Sequence, residues 1–356
     1  MTLSYHYMQL PREVIVGNNV LNRITEVTQR LNLKGPALII TGNKSYTAAG
    51  KQVQEHLKQA KINTHTIFIQ TPLLTSPQEN IAAIEKQIST LKPQILLGIG
   101  GGTIIDITKI NSYKQNIPFI SIPTTISHDG IASPIVSIKE PNKSYSIMTQ
   151  APLAIIADIG IISQAPWRSV ISGCGDIISK YTAVKDWHLA HIEKQEYHGQ
   201  YSASMAEMSA KLITKNASQI QQGNINGIHI QLEALISCGV AMSIAGSSRP
   251  CSGSEHLFSH ALNVISPNCA MHGEQVGIGT ILTAFLHETN WEEIRDTLKQ
   301  IKAPTTAKEL GVKDEDIIKA LEKAPTIRPE RYTILHKLQP NYETCKAVAK
   351  ATKVID

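Results

Sequence analysis

The chain has 356 residues, which suggests about two domains at roughly 150 residues each. Its 34 Lys and Arg against 29 Asp and Glu leave a net charge of +5, and 42% of its residues are hydrophobic. That apolar share offsets ordering entropy and excludes a largely disordered chain. The basic residues are scattered, with no block or stripe interleaved with aromatics, so a nucleic-acid partner is not expected. No basic-then-apolar leader and no apolar run of about 18 residues is present, so neither a signal peptide nor a membrane span is expected. Five widely spaced cysteines read as reduced thiols. A cytoplasmic location is the expectation.

The first half alternates β-branched runs with helical patterns. Ala37–Thr41 reads as a buried strand, followed by a helical stretch from Tyr46 to Lys61 and a strand over Thr64–Ile69. A helix from Pro77 to Leu91 leads to a strand over Gln94–Ile99, and a fourth strand covers Pro118–Ile122. Such alternation indicates βαβ units and a parallel sheet. After about residue 160 the spacing of apolar residues becomes helical throughout: Asp176–Gln195, Ser202–Gln221, His229–Ser247 and Ser254–Val264, then shorter helices broken by Pro304, Pro325, Pro329 and Pro340. The expectation is an α/β, Rossmann-like domain over 1–160 and an all-α domain over 161–356. With no linker between them, the active site is expected in the cleft.

Three segments carry residues suited to chemistry. Gly98-Ile99-Gly100-Gly101-Gly102-Thr103-Ile104-Ile105-Asp106 runs from a strand into a helix. There, glycines allow close approach and the helix N-terminus suits a phosphate. Thr103 replaces the last glycine of the dinucleotide fingerprint and no G-K-[ST] follows, which excludes a triphosphatase loop; a plain tight turn is the alternative. Thr124, Thr125, Ser127, His128 and Asp129 follow the fourth strand, where α/β sheets place ligands, although an ordinary polar loop has the same composition. His256 and His260 lie four apart on one helix face, His272 follows, and Asp176 stands upstream at an expected helix start. Two imidazoles and a carboxylate suffice for a catalytic divalent metal with one open position; an N-cap for Asp176 and a polar helix face for the histidines are the alternatives. His188 and His191, beside Trp187 and Lys185, read as a solvated helix face. The strand Ala37–Thr41 ends without the acid that would exclude a 2′-phosphate, so a dinucleotide carrying that phosphate is expected to be accepted alongside one without it.

Together these segments, with Thr41-Gly42-Asn43-Lys44, Gly175-Asp176, Lys180 and His272-Gly273-Glu274, resemble the archaeal-type sn-glycerol-1-phosphate dehydrogenases over nearly the whole chain. That family lies within the group of iron-type alcohol dehydrogenases, glycerol dehydrogenases and dehydroquinate synthases. The resemblance implies metal ligands at Asp176, His256 and His272, with Zn²⁺ favoured over Ni²⁺ or Fe²⁺. It implies nicotinamide-cofactor contacts at Gly100, Gly101, Gly102, Thr103, Ile104, Ile105, Asp106, Thr124, Thr125, Ile126, Ser127 and Ser133. Substrate contacts fall on Asp129, Asp176 and His260, the same three being the catalytic candidates. The implied reaction is reversible hydride transfer between NAD(P)H and dihydroxyacetone phosphate, giving sn-glycerol 1-phosphate for archaeal lipids, with the metal as Lewis acid. A homo-oligomer is expected. Lys180 and Arg249 are candidate phosphate contacts. Cys174, beside the metal-binding Asp, departs from the family's small apolar residue and suggests oxidation sensitivity. The segment after Pro340 matches loosely. The rival readings are a glycerol or other alcohol dehydrogenase, a dehydroquinate synthase-like lyase, and a catalytically inactive relative.

Overall fold

The computed structural model describes residues 6–69, 77–140, 143–267 and 269–356. The strands are β1 (Glu13–Gly17), β2 (Ala37–Thr41), β3 (Thr64–Phe68), β4 (Ile95–Gly100), β5 (Phe119–Pro123), β6 (Ile135–Glu140), β7 (Lys143–Met148) and β8 (Ala154–Asp158). Six of them form a parallel sheet in the order β1-β8-β5-β4-β2-β3, and β6 pairs with β7 as an antiparallel hairpin. Residues of β2, β4, β5 and β8 are buried throughout, which is why their sequences are continuous apolar runs rather than alternating ones. Successive side chains still go to opposite faces. Leu38, Ile40, Leu96, Ile155 and Ala157 join the core shared with the helical half, whereas Ala37, Ile39, Leu97, Ala154 and Ile156 join the core on the other face.

From β2 the chain goes outward to β3 and returns to β4 on the other side of β2. The strand order therefore reverses beside β4, and ligand crevices in open α/β sheets form outside the strand ends at such a point. The glycine turn ending β4 lies there.

Beyond β8 every element among the described residues is helical. The expected helix Asp176–Gln195 is two helices, Trp167–Ile178 and Lys180–Lys194, so Asp176 lies in the last turn of the first and is not an N-cap. Pro325 does not end a helix before it but sits near the end of Asp314–Ile327, close enough to the terminus that few hydrogen bonds are lost. The helix Ile225–Ala245 is long and apolar enough to cross a membrane by composition, but most of it is buried within the protein. Its apolar character on all sides is that of a core helix.

Candidate active site

The glycine turn and the loop after β5 are built against each other. Gly101 precedes the helix Gly102–Gln115 as its N-cap. The amides of Ile104 and Ile105 both donate to the Gly101 carbonyl, at 3.0 and 3.1 Å. The amides of Gly102 and Thr103, one position earlier, have no such acceptor, as at any helix start. None of these glycines has a positive φ, so space rather than backbone conformation demands them. A Cβ on Gly101 would stand 2.9 Å from Thr125 Oγ1, and one on Gly102 would stand 1.9 Å from His128 Nε2. The residues fit a dinucleotide phosphate: exposed helix-start amides in a cradle that any side chain would fill. Ile104, Ile105 and Ile126 are buried in the core, so only their backbone is available to a cofactor. Thr124 N–H donates to Gly100 O at 3.0 Å, fixing the second loop to the first. Asp106 pairs with the buried Lys109 at 3.1 Å, and Lys109 also donates to the carbonyls of Gly130 and Ile135 at 2.8 and 2.7 Å. Ser133, buried, stands 3.4 Å from the Ile135 amide and carbonyl.

Asp176, His256 and His272 come from three separate helices, and their ligand atoms all lie within 4.8 Å of one another. Close helix packing brings them together. Trp167–Ile178 and His272–Leu286 touch at Gly175 and Gly273, and Arg168 makes a bidentate pair with Glu274 at 2.7 Å. Glu274 also accepts from the Met271 amide at 2.8 Å, capping the helix that His272 begins. His256 stands in the first turn of Ser254–Ile265, with Nε2 3.6 Å from Asp176 Oδ1. Its Nδ1 lies 2.8 Å from Glu255 Oε1. A carboxylate only accepts, so Nδ1 carries the hydrogen and the Nε2 lone pair faces the cluster. A carboxylate and two imidazoles in this array fit a divalent metal. His260, one turn beyond His256, is 4% exposed on the same helix.

The array has a buried electrostatic frame. Lys180 Nζ lies 2.8 Å from Asp176 Oδ1, 3.0 Å from Asp129 Oδ2 and 3.2 Å from the Cys251 carbonyl, while the Asp129 amide donates to Asp176 Oδ2 at 2.8 Å. Burial opposes Asp176 ionising, but Lys180 and the two histidines outweigh it and hold its carboxyl well below the usual range. Burial and the Asp176 charge push Asp129 up, against the pull of Lys180. The two carboxylates thus titrate apart. Burial also opposes charge on Lys180, yet Asp129 and Asp176 hold its pKa well above the ordinary value.

Lys180, as a candidate phosphate contact, is fully buried between carboxylates. Arg249 is committed elsewhere: it pairs with Glu196 through both Nε, at 2.6 Å, and Nη2, and donates to the Tyr332 carbonyl at 2.9 Å. Cys174 is fully buried, and burial pushes its thiol well up. A thiol so placed is inert, which removes the basis for the expected oxidation sensitivity. Three structural residues of the site carried no readable signal of that role in the sequence. His128 lies between the glycine turn and the metal array, its ring 6.4 Å from that of His272. Glu255 orients His256. Asp186, fully buried, accepts from the Ser254 amide and hydroxyl at 2.6 and 2.5 Å and from the Ile334 amide at 2.6 Å.

The family model for iron-containing alcohol dehydrogenases matches residues 15–166. The fold is that of the glycerol dehydrogenase of Schizosaccharomyces pombe, with a TM-score of 0.81 at 18% identity over 98% of this chain and 91% of the other. A probable glycerol dehydrogenase of Sinorhizobium meliloti gives 0.79 at 17% identity, covering 98% of each chain. The fold is the one shared by iron-containing alcohol dehydrogenases and glycerol dehydrogenases. The glycerol-1-phosphate dehydrogenase (NAD(P)+) of Methanosarcina mazei is 49% identical, over 99% of this chain and 98% of its own length. That of Thermococcus sibiricus is 47% identical over the full length of both. The chain belongs to the glycerol-1-phosphate dehydrogenase family.

Proposed function

We propose that the chain catalyses the reversible NAD(P)H-dependent reduction of dihydroxyacetone phosphate to sn-glycerol 1-phosphate. The observation that carries the reading is the convergence of Asp176, His256 and His272 beside Asp129 and Lys180, in a chain nearly half identical to enzymes named for this product. Asp176, His256 and His272 would hold the divalent metal, Zn²⁺ in first place, which supplies Lewis acidity to the substrate oxygens. The helix-start amides at Gly102 and Thr103 would take the cofactor phosphates, with Gly100, Gly101, the backbone of Ile104 to Asp106, Thr124 to Ser127 and Ser133 around them. Asp129 and His260 would orient the substrate hydroxyls, and His260 would move the proton. Lys180 keeps Asp129 and Asp176 together and offsets their repulsion.

On this reading residues 1–160 form the cofactor domain and 161–356 the metal and substrate domain. The exposed Tyr201, Met208 and Leu212 on the helix Gln200–Lys215 support a homo-oligomer, which light scattering would test. One spectrophotometric assay tests the activity: NAD(P)H oxidation with dihydroxyacetone phosphate against NAD(P)+ reduction with glycerol. Turnover confined to glycerol would overturn the substrate. With no acid in Thr41-Gly42-Asn43-Lys44 after β2, NADPH should serve at least as well as NADH. A hundredfold preference for NADH would overturn that part.

A further inference from the structure

Three histidines outside the candidate active site face one another where the helix Lys180–Lys194 ends. His188 and His191 stand on its last turns. The chain then reverses at Gln195, whose φ is 55°, and brings His198 back to them. The ring centroids are 5.4 Å apart for His188 and His198, 5.7 Å for His191 and His198, and 6.5 Å for His188 and His191. For imidazoles bound tetrahedrally at metal–nitrogen distances of about 2 Å, the centroids lie about 5 Å apart; those of His256 and His272 are 5.1 Å apart. Among the described residues only the Asp176, His256 and His272 group has its donor atoms within 4.8 Å of one another. The outer triad is therefore more open. His188 is exposed and carries no hydrogen bond among the described residues, so rotation of its side chain toward His191 and His198 narrows the opening.

The surroundings hold the triad in place. The buried Trp187 donates its indole N–H to the Tyr197 carbonyl at 2.6 Å and lies 4.7 Å from the His198 ring. A Cβ on Gly199 would stand 2.7 Å from Ser202 Oγ and 3.3 Å from Trp187, so the turn closes tightly. His191 Nδ1 lies 2.8 Å from the Glu196 carbonyl. A carbonyl only accepts, so Nδ1 carries the hydrogen and Nε2 keeps its lone pair, as in metal-bound histidines whose other nitrogen is fixed by an outer partner. Neither His188 nor His198 has a hydrogen-bond partner among the described residues. Partial burial, with His188 and His191 nearby, holds His198 below the ordinary histidine pKa, in the neutral form that metals bind.

We propose that His188, His191 and His198 bind a second divalent transition-metal ion of the Zn²⁺ or Ni²⁺ class, with water completing its coordination. The ion would fasten the Gln195–Gly199 turn to the end of the helix. The site is independent of the catalytic reading, since none of its residues touches the Asp176 array.

The test is equilibrium dialysis of untagged, full-length protein against Zn²⁺, with bound metal counted per chain. Wild type should take up two equivalents. His191→Ala and His198→Ala should weaken one of them at least tenfold while keeping wild-type dehydrogenase activity, and Asp176→Ala should lose the other. Zn²⁺ beyond the first equivalent should also raise the melting temperature of wild type but not of His198→Ala. Saturation of wild type at one equivalent would overturn the proposal. So would a second equivalent that survives in the His191→Ala, His198→Ala double variant.

Discussion

Gly175 and Gly273 meet backbone against backbone. A Cβ on Gly175 would lie 2.2 Å from the Gly273 carbonyl oxygen, and one on Gly273 would lie 1.7 Å from the Ser172 carbonyl oxygen. Neither neighbour is a flexible side chain that could move aside. The contact sets the distance between Asp176, the residue after Gly175, and His272, the residue before Gly273. Ser172 reinforces it, accepting from the Gly273 amide at 3.1 Å and donating to the Ser127 carbonyl at 2.9 Å.

Gly273→Ala should therefore separate the two helices and cost about 1–3 kcal/mol of stability, the usual range for overpacking. Because the separation falls between two of the proposed metal ligands, bound metal should fall along with the melting temperature. Elemental analysis and a thermal melt on the same preparation check this. Wild-type metal content in a destabilised Gly273→Ala would mean the contact serves stability alone.

Glu255 acts on the metal array through His256. It is fully buried, and besides His256 it accepts from the Gly253 amide at 2.6 Å and the Thr182 hydroxyl at 2.8 Å. Glu255→Ala leaves the imidazole free to turn and should cost roughly 10–100-fold in metal affinity, the range for outer partners of metal-binding histidines. Glu255→Gln keeps one acceptor oxygen and should recover part of it. Competition with a chromogenic chelator gives both values. Equal affinity in all three proteins would remove the positioning role.

The four strands expected from the sequence are β2 to β5: β2, β4 and β5 because buried parallel strands leave nearly unbroken apolar runs, and β3, a partly buried edge strand, through its β-branched Thr64, Thr66 and Ile67. β1, β8 and the β6–β7 hairpin were not legible. Glu13–Gly17 is a short, partly exposed edge strand beginning with a charge, and Ala154–Asp158 flows into a helix without a turn signal. The convergence of Asp176, His256 and His272 was legible as residue types and, through the resemblance, as positions. Its outer shell was not. Glu255 and Asp186 act through partners as distant in sequence as Ile334, and a buried carboxylate has no spacing pattern of its own. The split at Ser179 was hidden for another reason: apolar residues continue at helical spacing across it, so only the backbone shows the break.

Asp186 clamps the start of the His256 helix to the segment at Ile334. It also lies 3.0 Å from His287 Nε2. Burial opposes its charge, but His287 and Ser254 outweigh this, and its carboxyl titrates below the usual value. A depressed carboxyl pKa adds stability that is complete above the unfolded value of about 3.9 and is lost as pH falls through the lower folded value. Asp186→Asn keeps the shape but turns an amide N–H₂ toward donors, and should cost about 3 kcal/mol at pH 7. The gap between wild type and variant should narrow as pH falls below about 4, where the carboxyl of the unfolded chain takes up its proton while the folded one, with its lower pKa, is still charged. Urea unfolding at neutral and acid pH checks both statements; a gap that stays constant would mean that charge on Asp186 contributes nothing.

The hand of the product is the last expectation. Carbon 2 of dihydroxyacetone phosphate is prochiral, so the face that receives hydride decides between the 1-phosphate and 3-phosphate enantiomers of glycerol. The protein fixes that face by holding the substrate at several points at once, since positioning at the reacting centre selects a single pose. Here the candidate anchors stand on a rigid frame. Asp129 is tied to Asp176 through its own amide and to Lys180 through its carboxylate. His260 rides on the helix that carries His256, and the glycine turn is locked to the loop leading to Asp129 through Thr124. Moving these parts relative to one another breaks a buried ion pair at Lys180 or the backbone hydrogen bond at Thr124. One enantiomer is therefore expected, and membership of the glycerol-1-phosphate dehydrogenase family makes it the sn-1 form. The check is to let the enzyme exhaust dihydroxyacetone phosphate with NADPH and then offer the product to an enantiospecific sn-glycerol-3-phosphate dehydrogenase with NAD+. No NADH should form. Consumption of the product by that enzyme would overturn the stereochemical assignment while leaving the fold and the metal array intact, and consumption of half of it would show that the frame does not fix the substrate's face.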